Sequence, residues 1–260
     1  MKKGFTLVEL AIVLVIIGLL VGGILVGQSL ISSAKINGVI REESQYLAAV
    51  RLFKAQFNGL PGDSSKASRL LGVGSSSLAT FDDGAISWGG QYEGYWAWRQ
   101  LSLSRFIKND AKTADGQYSG TALSGGFVEP GVNAPFSKVF NKAVWFLDGA
   151  PTAWGPVWNL NWTPATDHSG RSLIRLAENL AGPGGPTSIY PSPWNGPLNV
   201  EQVAAIDSKL DDGKPGLGEV MVHIRNVNVF SCTTTSISAT AMYDFTQEGN
   251  VCHIIFWLPN

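Results

Sequence analysis

Charge is missing where a soluble helix would need it. From Leu10 to Ala34 the chain carries no ionisable side chain, and roughly 20 apolar residues at about 1.5 Å each are enough to cross the hydrocarbon core of a bilayer. Histidine and cysteine are also scarce, three and two in 260 residues. The three histidines, His168, His223 and His253, are scattered and form no His-Glu-x-x-His pair, and neither a Gly-x-Ser-x-Gly elbow nor a phosphate loop occurs. Catalysis therefore has no support in the sequence, and the chain reads as a non-enzyme. A basic excess is lacking as well: the net charge is −1, and without Lys2 and Lys3 the 19 basic side chains fall to 17 against 20 acidic ones. That balance argues against nucleic acid as a partner, since there is no surplus of cations to displace phosphate counterions.

What is present begins at the first residue. Met1 to Val21 read MKKGFTLVELAIVLVIIGLLV, with one carboxylate, Glu9, five residues after Gly4 at the lip of the apolar run. An acid placed there is costly in hydrocarbon and needs a reason. A secretory signal puts its small-residue cleavage site after the apolar region, whereas here basic Lys2 and Lys3 are followed at once by Gly4 and bulky Phe5. A cut between Gly4 and Phe5 would leave the apolar segment on the mature protein. An ordinary signal anchor explains the apolar run but neither Gly4-Phe5 nor Glu9.

The string Lys3-Gly4-Phe5-Thr6-Leu7-Val8-Glu9-Leu10 resembles the class III leader of type IV pilins and type II secretion pseudopilins. The resemblance implies that a prepilin peptidase cuts after Gly4 and methylates the new amine of Phe5. It also implies a subunit held in the bacterial inner membrane, then drawn by an assembly platform into a periplasmic or cell-surface filament with other pilin subunits. The residue matching the family's glutamate is Glu9, implied to pair with the terminal amine of a neighbour as the helices bundle. A paired carboxylate of this kind helps to set axial register.

The rest of the chain supplies the expected organisation: a leader at 1–4, a long helix at 5–58 with 5–31 in membrane or filament core, and a head at 59–260. Past the apolar run, Ile36, Val39, Ile40, Tyr46, Leu47, Val50, Phe53 and Phe57 recur at three- and four-residue spacing. That spacing predicts one apolar face, opposite a polar one bearing Arg41, Glu42, Arg51 and Lys54. Gly59-Leu60-Pro61-Gly62-Asp63 should stop the helix, which would be about 80 Å long at ~1.5 Å per residue. Gly18, Gly22, Gly23 and Gly27 would let helices approach closely, while lowering helix propensity. Further on, 96–107 and 201–210 predict helices, 139–147 a strand, and 172–180 a helix. The alternation over 219–230 and the run at 251–258 predict strands. The fold class expected is α+β, a long amino-terminal helix packed on a head with an antiparallel sheet.

Three features bear on binding. Cys232 and Cys252 favour one disulfide in an exported chain, because that compartment is oxidising, and the resemblance points the same way. Asp207, Asp211 and Asp212 fall at a helix end before Gly213, and clustered hard oxygens in a glycine-bearing turn suit calcium. Asp-Asp-Gly is equally a common turn, as is Asp82-Asp83-Gly84, so no cofactor follows beyond a possible calcium ion. Nine tryptophans would allow an adhesive head on a membrane anchor, an alternative to the filament subunit, but most tryptophans bury their rings in cores and interfaces.

Overall fold

A computed structural model describes residues 6–73, 82–86, 93–108, 110–120, 130–140, 143–149, 171–178, 196–222, 232–235, 240–249 and 252–258. Helix α1 runs Leu7–Phe57, 51 residues without a break. It stops at Asn58, whose left-handed backbone (φ 56°, ψ 40°) lets its N–H donate to the Lys54 carbonyl at 2.9 Å. The stop therefore comes from a left-handed cap, a role asparagine fills with little strain, just before the Gly-Leu-Pro-Gly turn. Gly62 follows with φ +88°, and a Cβ there would lie 2.3 Å from the Glu93 carbonyl oxygen, so the turn packs directly on the helix that spans Glu93–Leu103.

Two short helices come next. Helix α2, Ser65–Leu71, is capped by Ser64, whose hydroxyl accepts from the Ala67 N–H at 3.2 Å. Helix α3, Glu93–Leu103, buries Trp98 and Leu101 and leaves Phe106, beyond its end, half-buried. Strands β1 (Ala143–Gly149) and β2 (Ser172–Glu178) precede helix α4 (Val200–Leu210), followed by strands β3 (Val220–Val222) and β4 (Ile254–Trp257). The sheet is antiparallel in the order β1-β2-β4-β3. This is the α+β arrangement expected.

One element differs in type. The stretch 172–180, expected to be helical, is strand β2 over Ser172–Glu178. Its apolar residues, Leu173, Ile174, Leu176 and Ala177, satisfy a helical spacing and a two-faced buried strand equally well. Position decides: β2 lies between β1 and β4 and pairs with both, so its backbone groups are satisfied on two edges and tertiary context overrides propensity. Boundaries move elsewhere. The strand expected from 139 begins at Ala143, after a turn held by Ser137, and β3 covers only Val220–Val222 because 223–230 lie outside the described residues.

The core lies between the sheet and the second half of α1. Val39, Val50, Phe53 and Phe57 of α1 pack with Trp98, Leu101, Trp145, Ile174 and Ile206. On the sheet's other face a smaller cluster joins Leu173, Met221, Ile255 and Trp257, bordered by an ion pair of Arg175 with Asp148 at 3.1 Å. Gly38 marks a close approach of α1 to the head, since a Cβ there would lie 2.6 Å from a Val139 methyl.

Glu42 departs from the sequence reading. Placed by periodicity on the polar face, it is buried at 7 % exposure. Its Oε2 accepts from the Ser137 hydroxyl at 2.8 Å and the Trp145 indole N–H at 2.8 Å, and its Oε1 from the Lys138 N–H at 2.6 Å. A carboxylate can be buried when its lone pairs are filled this way. Glu42→Ala would strand three donors at once, and losing charge-assisted bonds of this kind costs about 3 kcal/mol in sum or more. Denaturant unfolding of the detergent-solubilised chain measures it; a loss below about 0.5 kcal/mol, the scale of an ordinary surface substitution, would contradict the clamp.

Candidate functional site

The site begins where α1 begins. Thr6 has extended backbone (φ −80°, ψ 152°) and is the N-cap. Its hydroxyl oxygen accepts from the Glu9 N–H at 3.3 Å, while Glu9 Oε2 accepts from the Thr6 N–H at 2.8 Å and the Thr6 hydroxyl at 2.9 Å. This is a capping box, which satisfies two donors that a helix start leaves open. Thr6 went unassigned in the sequence reading, although the Thr-x-x-Glu spacing before an apolar run signals it. The box gives Glu9 local partners but does not neutralise its charge, so the demand for a cation in an apolar setting remains. Gly4 and Phe5 lie outside the described residues.

From Leu7 to Val26 the helix finds no cover from its own chain. Leu7 is 89 % exposed and Leu19 72 %, and adding a Cβ at Gly18, Gly22, Gly23 or Gly27 would meet nothing within 4 Å. Among the described residues α1 is the one helix long and apolar enough to cross a membrane, and none of that window is buried. At about 25 cal/mol per Å2, so much apolar surface is untenable in water. It requires lipid or other helices around it.

The carboxy-terminal features form one connected unit. Cys232 and Cys252 are joined in a disulfide spanning 20 residues, with Cα atoms 5.4 Å apart. Cys252 donates its N–H to the Leu198 carbonyl at 2.9 Å, and Asp244 donates its own to the Cys232 carbonyl at 3.0 Å. Inside this loop the Tyr243 hydroxyl donates to Asp207 Oδ2 at 2.6 Å, tying the loop to the end of α4.

The structure also brings Asp207, Asp211 and Asp212 together, with one carboxylate oxygen of each within 4.8 Å of the others. Their oxygens have work within the chain. Asp207 Oδ1 accepts from the Gly213 N–H at 3.2 Å, Asp211 Oδ2 from the Val220 N–H at 3.0 Å and from the Glu219 N–H, and Asp212 Oδ1 from the Lys214 N–H at 2.8 Å. Together they shape the turn from α4 into β3. The second acidic turn is also held within the chain: Asp82 Oδ1 accepts from the Ser65 N–H at 3.1 Å and Asp83 Oδ1 from the Ala85 N–H at 2.9 Å, while the N–H groups of Asp83 and Gly84 donate to Asp63 at 3.1 and 3.2 Å.

Burial pushes Asp207 up to about 6, against the lowering effect of its bonds from Tyr243 and Gly213 and helped by the charges of Asp212 and Asp211. Asp63 and Asp148 are likewise raised to about 6, chiefly by burial. The described tryptophans serve the core: Trp98, Trp145 and Trp257 are buried and Trp96 is half-buried, while Trp88, Trp154, Trp158, Trp162 and Trp194 lie outside the described residues. His253 is buried, and His168 and His223 lie outside them.

Comparison with known proteins adds one finding. Residues 1–25 match the family described as the prokaryotic N-terminal methylation motif, the prepilin-type leader of type IV pilins and pseudopilins, which is structural rather than enzymatic. No curated protein and no solved structure matches the chain.

Two tests follow from the acidic turn. A calcium ion would have to draw carboxylates that already accept backbone N–H groups, so the melting temperature of the detergent-solubilised chain should not move between calcium and a chelator. A rise that grows with free calcium would instead establish the ion by mass action. For pH, a carboxyl raised from 3.8 to about 6 on folding contributes stability that is full below about 4 and is lost as pH climbs to about 6. The stability difference between wild type and Asp207→Asn should therefore shift against wild type between pH 4 and 6 and stay level above. A difference constant across that window would contradict the assignment.

Proposed function

We propose that this chain is a structural subunit of a type IV pilus or of a pilus-like filament such as a type II secretion pseudopilus. In this reading prepilin peptidase cuts between Gly4 and Phe5 and methylates the Phe5 amine. Residues 5–31 then hold the subunit in the inner membrane, with the head, from 59 onward, outside it. An assembly platform draws the helix from lipid into a bundle of like helices, giving a periplasmic or cell-surface filament.

The observation that carries the reading is the methylation motif at 1–25 running directly into an apolar helix surface that nothing in its own chain covers. A lipid bilayer and a bundle of like helices are the two surroundings that satisfy such a surface, and a filament subunit passes from one to the other. The exposed small residues Gly18, Gly22, Gly23 and Gly27 suit close helix approach in the second state. Glu9 supplies register. Its capping box to Thr6 serves the isolated subunit, and the methylated Phe5 amine of a neighbour supplies the cation that an apolar bundle demands.

The two roles of Glu9 separate in one experiment. Glutamine at this helix position still completes a capping box but cannot form the ion pair. Glu9→Gln should therefore insert and fold normally yet be lost from sheared filaments, as Glu9→Ala should be. Recovery of Glu9→Gln at the wild-type level would reduce Glu9 to a helix cap and remove the assembly role.

A further inference from the structure

Among the described residues the sheet ends at β1 on one side and β3 on the other, and an ending strand presents unpaired N–H and C=O groups to any chain that can lie alongside. The β1 edge is covered by backbone: the Trp145 N–H donates to the Pro135 carbonyl at 2.9 Å and the Ser137 N–H to the Ala143 carbonyl at 2.8 Å. The β3 edge is covered differently. Successive residues of a strand turn their N–H groups to opposite edges, and the two that face away from β4 belong to Val220 and Val222. Val222 donates to the Pro215 carbonyl at 2.9 Å, but Val220 donates to a side chain, Asp211 Oδ2, at 3.0 Å. The same oxygen accepts from the Glu219 N–H.

The segment that supplies these acceptors is shaped to fold back on the strand. Gly213 and Gly218 bracket it with left-handed backbone (φ +72° and +77°), and the Leu217 N–H closes a turn on the Lys214 carbonyl at 3.2 Å. A Cβ at Gly218 would overlap Asp211 Oδ2, so the carboxylate reaches the strand because that residue has no side chain. The segment also carries Pro215, which has no N–H to offer, and exposed Lys214. From Val220 to Phe230 the sequence reads VMVHIRNVNVF, with a β-branched residue at every second or third position. A stretch of that composition pairs readily wherever it is left uncovered.

We propose that residues 211–218 are an edge guard, latched by Asp211, which keeps β3 from pairing edge to edge with a second copy of the chain. A second copy is the occupant because the edge complements itself: two β3 strands laid antiparallel offer each other the same outward N–H and C=O groups about a two-fold axis. A covering loop, a proline and a lysine are the devices by which sheets blunt such edges. The guard goes beyond the filament reading, which concerns α1. Its weak point is the latch, since one carboxylate oxygen holds two of the donors.

The test compares the full-length chain in detergent as wild type, Asp211→Asn, Asp211→Ala and Gly218→Ala, reading single-amide hydrogen exchange and protein mass per particle over a range of concentration. Wild type should protect the Glu219 and Val220 amides at every concentration. Asp211→Asn should match it, since one amide oxygen can hold both donors. In Asp211→Ala and Gly218→Ala these amides should exchange about tenfold faster when dilute, the loss expected for bonds to a charged acceptor. As concentration rises, the mass of both variants should step to twice the wild-type value, with protection of Val220 returning. Both variants staying at the wild-type mass would overturn the guard, as would rapid exchange of Glu219 and Val220 in wild type. Aggregation without a cooperative melt would overturn it too, because Asp211 would then be a folding element rather than a latch. None of these readings involves filament incorporation, so their failure leaves the filament reading standing.

Discussion

One buried carboxylate makes the long helix and the head a single body. Glu42 points from α1 into the core and gathers a serine hydroxyl, a backbone N–H and an indole N–H from the segment leading into the sheet. Around it Val39, Val50 and Phe53 supply the apolar packing, but apolar contact alone leaves a helix free to slide by a turn. A charged acceptor with three directional donors does not permit that, because a slip would leave the charge and its donors unpaired in low dielectric. The axial position of the head on α1 is thereby fixed.

The same helix lives in two solvents. Its second half obeys the rule of an amphipathic helix, with one face buried and the other wet. Its first half is apolar all round and buries nothing, so it is incomplete without lipid or neighbours. Glu9 stands at the outer end of that incompleteness, hydrogen-bonded to Thr6 yet still charged. Lipid or a bundle of like helices would satisfy such a surface, and under the proposed function the helix passes from the first to the second.

Legibility in the sequence followed how local each cause is. Leader grammar, the extent of α1 and the single disulfide depend on short spacings or on there being only two cysteines, and all could be read directly. The Thr6–Glu9 box was equally local and readable from Thr-x-x-Glu. Strand β2 was not, because the apolar spacing over Leu173, Ile174, Leu176 and Ala177 fits helix and central strand alike, and its flanking strands choose between them. Glu42 defied the pattern for a related reason: periodicity assigns charge to the wet face, and the donors that pay for its burial lie about 95 to 103 residues away. The aspartates at 207, 211 and 212 were visible as a cluster, but their use as acceptors for the turn depends on where Gly213, Val220 and Tyr243 arrive in space.

The central claim, a subunit matured at its amino terminus for filament assembly, meets its most direct test in mass spectrometry of the mature chain isolated from cells carrying a prepilin peptidase. The account requires the first residue to be Phe5 with one added methyl group on its amine and residues 1–4 absent. An intact amino terminus at Met1 would contradict it.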